Sequence, residues 1–168
     1  MQAAGTDKAF IQLNGEDLRM GVNSSNATGN VVFRLNGGDR FTIFQSGNAT
    51  LTGTLTQNSD ARLKKLIKPI SNPMSKLMLI KGYNYYWKSE SSDHEMQTGV
   101  LAQEIQKVFP ELVKEDGAGT LSVNYTGLIP YMIEAAKDQQ QKLDDKQKQI
   151  DELKTRLSKL ENIIINIR

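Results

Sequence analysis

From Ile129 onward the apolar residues follow a seven-residue register. With Ile129 at position a, the a positions are Ile129, Ala136, Leu143, Ile150, Leu157 and Ile164, and the d positions are Met132, Gln139, Lys146, Leu153, Leu160 and Ile167. Alternating steps of three and four keep one apolar stripe on the same side of an under-wound helix, which specifies a coiled coil. Such a stripe is left in water unless another helix covers it, so this segment asks for association. Gln139 and Lys146 break the stripe at d, where polar residues cost stability and penalise wrong registers and partners. Arg156 at g can meet Glu161 at e of a parallel neighbour, a pair worth about 0.2 to 1 kcal/mol when exposed. Ile at a with Leu at d favours two strands, whereas Ile164 with Ile167 leans toward more, so core identity leaves strand number open.

The other end of the chain has a different period. Through residue 58, short runs such as "AFIQL", "LRMGV", "VVFRL", "RFTIF" and "ATLTGTLT" alternate apolar and polar positions. They are separated by "NGED", "NSSNATGN", "NGGD" and "QSGN". Asn-Gly and Gly-Asn pairs tolerate the positive φ of tight reversals, so the segment reads as short strands joined by turns. Eight of the 13 glycines lie here. A segment so thin and glycine-rich cannot bury enough surface alone to offset its ordering entropy, and copies of itself are the cheapest partners. "SNATG" and "GNATL" echo one another over too short a span to establish a repeat.

Residues 59–128 mix both periods. "SDARLKKLI" has helical spacing and stops before Pro69, because the residue preceding a proline disfavours the α region. "LMLIKGYNYYWK" reads as strand or hairpin with aromatics on a pleated surface. "QTGVLA" reads as a buried strand running into a short amphipathic helix, "QEIQKVF", closed by Pro110, and "TLSVNY" follows the "EDGAG" turn as a further strand. The expected organisation is therefore a β-rich segment over 1–58, a small α+β unit over 59–128, and a coiled coil over 129–168.

Several function classes fall away. Lys+Arg 21 against Asp+Glu 19 gives a formal +2, without the basic excess or aromatic-interleaved stripe of a nucleic-acid binder. The absence of cysteine removes disulfides, thiolate nucleophiles and Cys-ligated zinc. "MQAAGTDKAF" lacks the charged and apolar regions of a signal peptide, and no apolar run has membrane-spanning length. His94, the single histidine, sits between Asp93 and Glu95 in a polar loop, where adjacent side chains rarely converge on one metal. Tyr83, Tyr85, Tyr86 and Trp87 suit strand core or a subunit interface better than a sugar or base platform. "GVNSSNATGN" has no Walker lysine and no following helix. Asn23, Asn26, Asn48 and Asn124 each match the N-glycosylation pattern, read here as accidental. No cofactor, metal, nucleic-acid partner or membrane insertion is expected.

The chemistry concentrates at Ser59. In one reading it caps the "SDARLKKLI" helix, with Asp60 in the first turn complementing the positive helix end. In the other it is a nucleophile whose base is Lys64. A lysine takes a serine proton only when desolvation or neighbouring positive charge lowers its pKa, and Arg62 and Lys65 supply charge of the right sign. Five residues of α-helix rotate by about 500°, and an odd separation in a strand points opposite ways, so Ser59 and Lys64 diverge in either regular structure. They can meet across an irregular turn at 59–61 or between two chains.

Taken in order, "SDARLKK", "GYNYYWK", "TGVLAQEIQKVFPELV" and "LSVNYTGLIPYMIEAAKDQ", followed by the coiled coil, resemble the intramolecular chaperone domain of the S74 peptidase family. That family stands at the C-termini of phage tailspikes and tail fibres, including endosialidases, and has a related version in the myelin regulatory factor. The resemblance runs from about Ser59 to about Gln140. It implies a homotrimer in which the domain helps a preceding intertwined β-shaft to fold and then cuts itself away through a Ser-Lys dyad. Matched to the family's S-D-x-R-x-K pattern, Ser59 is the nucleophile, Lys64 the general base, and Asp60 and Arg62 are supporting positions. Cleavage falls beside Ser59, at 58/59 (Asn58 and Ser59) or at 59/60 (Ser59 and Asp60). Residues 1–58 then read as the shaft and folding client, in a virion fibre assembled in the host cytoplasm, or in a bacterial surface fibre. The alternative is an uncut trimerisation cap or receptor-binding tip facing a host receptor. A transcription-factor reading would need a DNA-binding domain and a transmembrane helix, which these residues do not contain.

Overall fold

A computed structural model of the chain describes residues 2–3, 6–7, 9–22, 28–89 and 94–166. Asn23, Asn26, Asp93 and Ile167 lie outside the described residues. The chain is mixed α+β, with small two- and three-stranded antiparallel sheets and one long C-terminal helix. Two packed units divide it: residues 1–65 with 84–97, and residues 66–83 with 98–168.

In the first unit, β1 (Gln2–Ala3) pairs with β2 (Thr6–Asp7), and β3 (Ala9–Asn14) with β4 (Asp17–Val22). A further sheet has the order β5 (Val31–Leu35), β6 (Gly38–Ile43), β7 (Ala49–Leu51). Asn36 and Gly37 join β5 to β6 with φ of 50° and 74°, the consecutive positive values of a type I′ reversal, which these two residue types tolerate. Cross-strand partners point to the same face of a sheet, so the register sorts the side chains. Ile11 faces Met20 and Leu13 faces Leu18 on one side of the first hairpin, while Gln12 faces Arg19 on the other. In the second sheet Phe33, Phe41 and Leu51 share a face, with Thr42 and Thr50 behind them. The β3–β4 hairpin and the β5–β7 sheet thus each have an apolar face, and among the described residues nothing in the unit covers it: Leu13 is 77% exposed and Ile11 65%. Among the described residues this unit buries no side chain.

The second unit holds the core. α1 (Pro73–Leu77) precedes the paired strands β8 (Tyr83–Tyr85) and β9 (Gln97–Gly99), whose residues are divided between the two units. α2 (Ala102–Val108) ends because Phe109 precedes Pro110 and is driven out of the helical region, to φ −135° and ψ 67°. A 3₁₀ turn (Pro110–Leu112) then leads into β10 (Val113–Glu115), paired with β11 (Leu121–Val123). Ile105, Phe109 and Leu112 form the buried centre, with Leu77, Ile80, Val100, Val123, Leu128 and Tyr131 packed around it. The Phe109 and Tyr131 rings lie 4.3 Å apart, and the Lys76 ammonium sits over both. Asn124 accepts the Gly127 N–H and closes the 3₁₀ turn (Tyr125–Gly127) that starts α3 (Leu128–Asn166).

Only the first turns of α3 belong to this core, where Ala135 is buried and α3 packs on α1. Every residue from 136 to 166 is exposed. The heptad stripe is thus uncovered along the helix: Leu143 and Leu157 are each 57% exposed, Leu153 60% and Ile164 63%.

Two readings of local sequence change. "SDARLKKLI" forms no α-helix: its ordered part is a single 3₁₀ turn (Ala61–Leu63), and Lys64 is already extended. The expected strand over "LMLIKGYNYYWK" shrinks to Tyr83–Tyr85: Leu77 closes α1, Met78 and Leu79 form the turn after it, and residues 80–82 carry no regular structure. Tyr86 and Trp87 fall outside it and are 65% and 54% exposed, and Tyr85 meets Trp87 edge-to-face at 5.3 Å. His94 is exposed.

Candidate active site

Past β7 the chain runs exposed through Asn58 to the 3₁₀ turn at Ala61–Leu63. Asp60, not Ser59, is the cap: its Oδ1 accepts the Arg62 backbone N–H at 2.8 Å, and its carbonyl accepts the Leu63 N–H at 3.1 Å. The Ala61 carbonyl takes the Lys64 N–H at 3.0 Å, which closes the turn. A turn this tight reverses the chain within a few residues, and the extended Lys64 then reaches back to the residue before the cap. Its Nζ donates to Ser59 Oγ at 2.7 Å. Within one chain the irregular turn brings the pair together.

Arg62 folds over Asp60. Its Nε donates to Oδ1 at 3.1 Å and to Oδ2 at 3.0 Å, and Nη2 donates to Oδ2 at 2.6 Å. The Arg62 side chain and then its backbone N–H hold the Asp60 carboxyl below the usual carboxylate range, and Asp60 raises the guanidinium in return. The four residues singled out by sequence, Ser59, Asp60, Arg62 and Lys64, therefore form one contiguous cluster, and Asn58 precedes it on the exposed, irregular approach.

The cluster is open. All residues from 51 to 69 are exposed, including Leu55 (76%), Leu63 (71%), Leu66 (85%) and Ile67 (67%). Leu66 also holds a left-handed backbone with φ 53°, a conformation that costs a bulky residue roughly 1 kcal/mol or more. By sequence Leu55 falls in an alternating run, and Leu63, Leu66 and Ile67 in a segment of helical spacing. The signal that could have separated them is the count of large apolar residues in so polar a junction, which exceeds what a short capped turn can use.

A family model described as the chaperone of endosialidase, peptidase S74, matches residues 59–114. The match begins at the serine that Lys64 contacts. Residues 59–114 belong to the peptidase S74 family. The S74 segment thus opens with the Ser59 turn and runs through α2 to β10. The chain is also 34% identical over 116 residues to the long tail fiber protein Gp37 of Salmonella phage S16, covering 64% of this chain and 16% of that protein. To the Gp37 of Enterobacteria phage K3 it is 33% identical over 141 residues, 79% of this chain and 10% of the relative. The Gp37 of Escherichia phage AR1 is 38% identical over 78 residues, 42% of this chain and 7% of the relative. The chain therefore spans less than a fifth of the length of these relatives. The K3 match reaches well beyond the S74 segment, so likeness to long tail fibres includes residues outside the chaperone model.

Proposed function

We propose that this chain is the C-terminal chaperone region of a trimeric phage tail fibre, which assembles the preceding β-shaft and then cuts itself away beside Ser59. The observation that carries the cleavage is the 2.7 Å contact between Lys64 Nζ and Ser59 Oγ. In this reading residues 1–58 are the shaft, 59–128 the chaperone domain and 129–168 a parallel trimeric coiled coil. The uncovered apolar faces of the hairpins and of α3 are what two further copies would bury. Long-range β pairing between chains is slow because loop and association entropy come before any reward, while helices form quickly and hold the chains at high effective concentration. The fibre sits on the virion tail and is assembled in the host cytoplasm, with its own copies as partners and a host-surface receptor as the target of the fibre.

The chemistry is an acyl transfer. Lys64, as the free amine, takes the Oγ proton as Ser59 attacks the carbonyl of Asn58. The 58/59 C–N bond breaks, the proton passes to the Ser59 nitrogen, and an ester joins the Asn58 acyl group to Oγ. Water then hydrolyses the ester, leaving an Asn58 carboxylate and a free Ser59 amine. Attack by Ser59 on its own carbonyl would close a strained four-membered ring, so within one chain the 58/59 bond is the one in reach. A lysine serves as base only in a dry or positively charged setting, and Lys64 is exposed in the single chain. The exposed leucines beside it supply apolar surface that packing in the trimer would lay over the dyad.

The test is expression of the whole chain, denaturing electrophoresis and mass spectrometry of the products. A fragment beginning at Ser59, lost in both Ser59→Ala and Lys64→Ala, is the expected result. A wild-type chain that stays full length as a folded trimer rejects self-cleavage and leaves the uncut cap or receptor-binding tip as the reading.

A further inference from the structure

The dyad segment has two requirements that conflict. Its turn uses an acceptor at position 60 to hold the Arg62 N–H, and Asp60 provides a carboxylate. A base at Lys64 needs the opposite, freedom from any nearby carboxylate, because an anion within about 4 to 6 Å stabilises the ammonium form. Asp60 is bonded in sequence to the serine that Lys64 touches, so a free carboxylate there would be the natural counter-ion for Lys64.

The contacts resolve the conflict. Asp60 Oδ1 accepts from the Arg62 backbone N–H and from Nε, and Oδ2 accepts from Nε and Nη2. Both carboxylate oxygens are thus turned to Arg62, and Lys64 is directed to a neutral hydroxyl. We propose that Arg62 is a positioning residue that occupies the Asp60 carboxylate, so that the turn keeps its cap while Lys64 is denied a counter-ion. The idea rests on the reading of Ser59 and Lys64 as a dyad. The ionisable groups of this segment are Asp60, Arg62, Lys64 and Lys65, and Asp60 is the single acid among them. Removing Arg62 therefore exposes Lys64 to one identifiable anion.

The experiment uses the full chain carrying Ser59→Ala, so that it stays uncut, with lysine labelled at 13Cε and the Lys64 signal assigned by its loss in Lys64→Arg. Arg62→Gln is expected to raise the Lys64 titration midpoint by roughly half a pH unit, the scale of an exposed ion pair. Adding Asp60→Asn, which keeps an acceptor for the cap but no charge, is expected to return the midpoint to that of the parent. In the cleavable chain the same pair of changes should move the rising limb of the cleavage rate up and back. The single variant should then be roughly threefold slower at a pH below that limb, with an unchanged plateau. A midpoint that Arg62→Gln leaves in place overturns the proposal. So does one that the double variant fails to restore, since that would mean Arg62 acts through its own charge or through folding. Absence of cleavage in the wild type, or cleavage surviving Lys64→Ala, would instead reject the dyad, and the titration would still decide whether Arg62 shields Lys64.

Discussion

Truncating one leucine of the heptad stripe should cost far more in assembly than in the stability of the chain that carries it. In the single chain Leu157 is 57% exposed, so Leu157→Ala removes little that folding of one chain depends on. Leu to Ala deletes the equivalent of three methylenes, each worth about 0.8 kcal/mol when fully buried. Scaled by the fraction still open to a partner, the loss is roughly 1.4 kcal/mol per chain and about 4 kcal/mol for three chains meeting in one layer. At about 1.4 kcal/mol per tenfold, the trimer association constant should fall by about a thousandfold. Sedimentation equilibrium over a range of concentrations measures this directly. Lys148→Ala is the control, because Lys148 falls at position f, away from the stripe, and its side chain is 74% exposed. Equal weakening by Leu157→Ala and Lys148→Ala would refute the argument, since it would show that the register does not define the contact surface. Trimers unaffected by either change would refute it too, by placing the assembly contacts outside α3.

Other outcomes follow from particular contacts. Tyr131 donates to Glu111, which together with burial pushes its phenol up to about 12 from an ordinary 10.0. The folded-state value lies above the unfolded one, so the contribution is complete below pH 10 and is lost as pH rises from about 10 to about 12; thermal melts should show that alkaline fall, and Tyr131→Phe should flatten it. Asp60 is shifted the other way by Arg62, so its hold on the turn is complete above the ordinary carboxylate range and lost as pH falls below it. Amide signals of Arg62 and Leu63 followed by NMR in acid should report this loss, and Asp60→Ala should abolish the dependence. A Cβ at Gly127 would lie 2.4 Å from Leu112 Cδ2, so Gly127→Ala should destabilise the second unit by about 1 to 3 kcal/mol. Leu112→Val in the same chain should restore part of the melting temperature, because it withdraws the atom that clashes.

Much of this was legible along the chain. Alternation and Asn-Gly pairs located the hairpins, since a two-residue reversal requires residues that accept positive φ, and Asn36 and Gly37 do so. Pro110 marked the end of α2 to within one residue, because the steric rule for the preceding position acts locally. The heptads marked α3 for the same reason: periodicity is a property of consecutive residues. The missed elements were those in which local preference lost. "ARLKKLI" carries helical spacing, yet Asp60 bonded to Arg62 stabilises one 3₁₀ turn, and nothing beyond Lys64 packs on that face to extend it. α1 escaped notice because five residues are too few to show a period.

By itself the sequence determined which residues could do chemistry here and that both ends of the chain leave apolar surface wanting partners. It also showed that Ser59 and Lys64 cannot meet in any regular helix or strand, because their odd spacing points them apart. Whether they meet was decided only by the folded turn, in which the Asp60 cap reverses the backbone and brings Lys64 Nζ within 2.7 Å of Ser59 Oγ. Which apolar residues become core was likewise a tertiary matter. Ile105 and Phe109 are buried because α2, β11 and α3 converge on them, while the equally apolar Leu13 and Leu153 stay exposed, since among the described residues nothing covers the open face of the hairpin or of the helix.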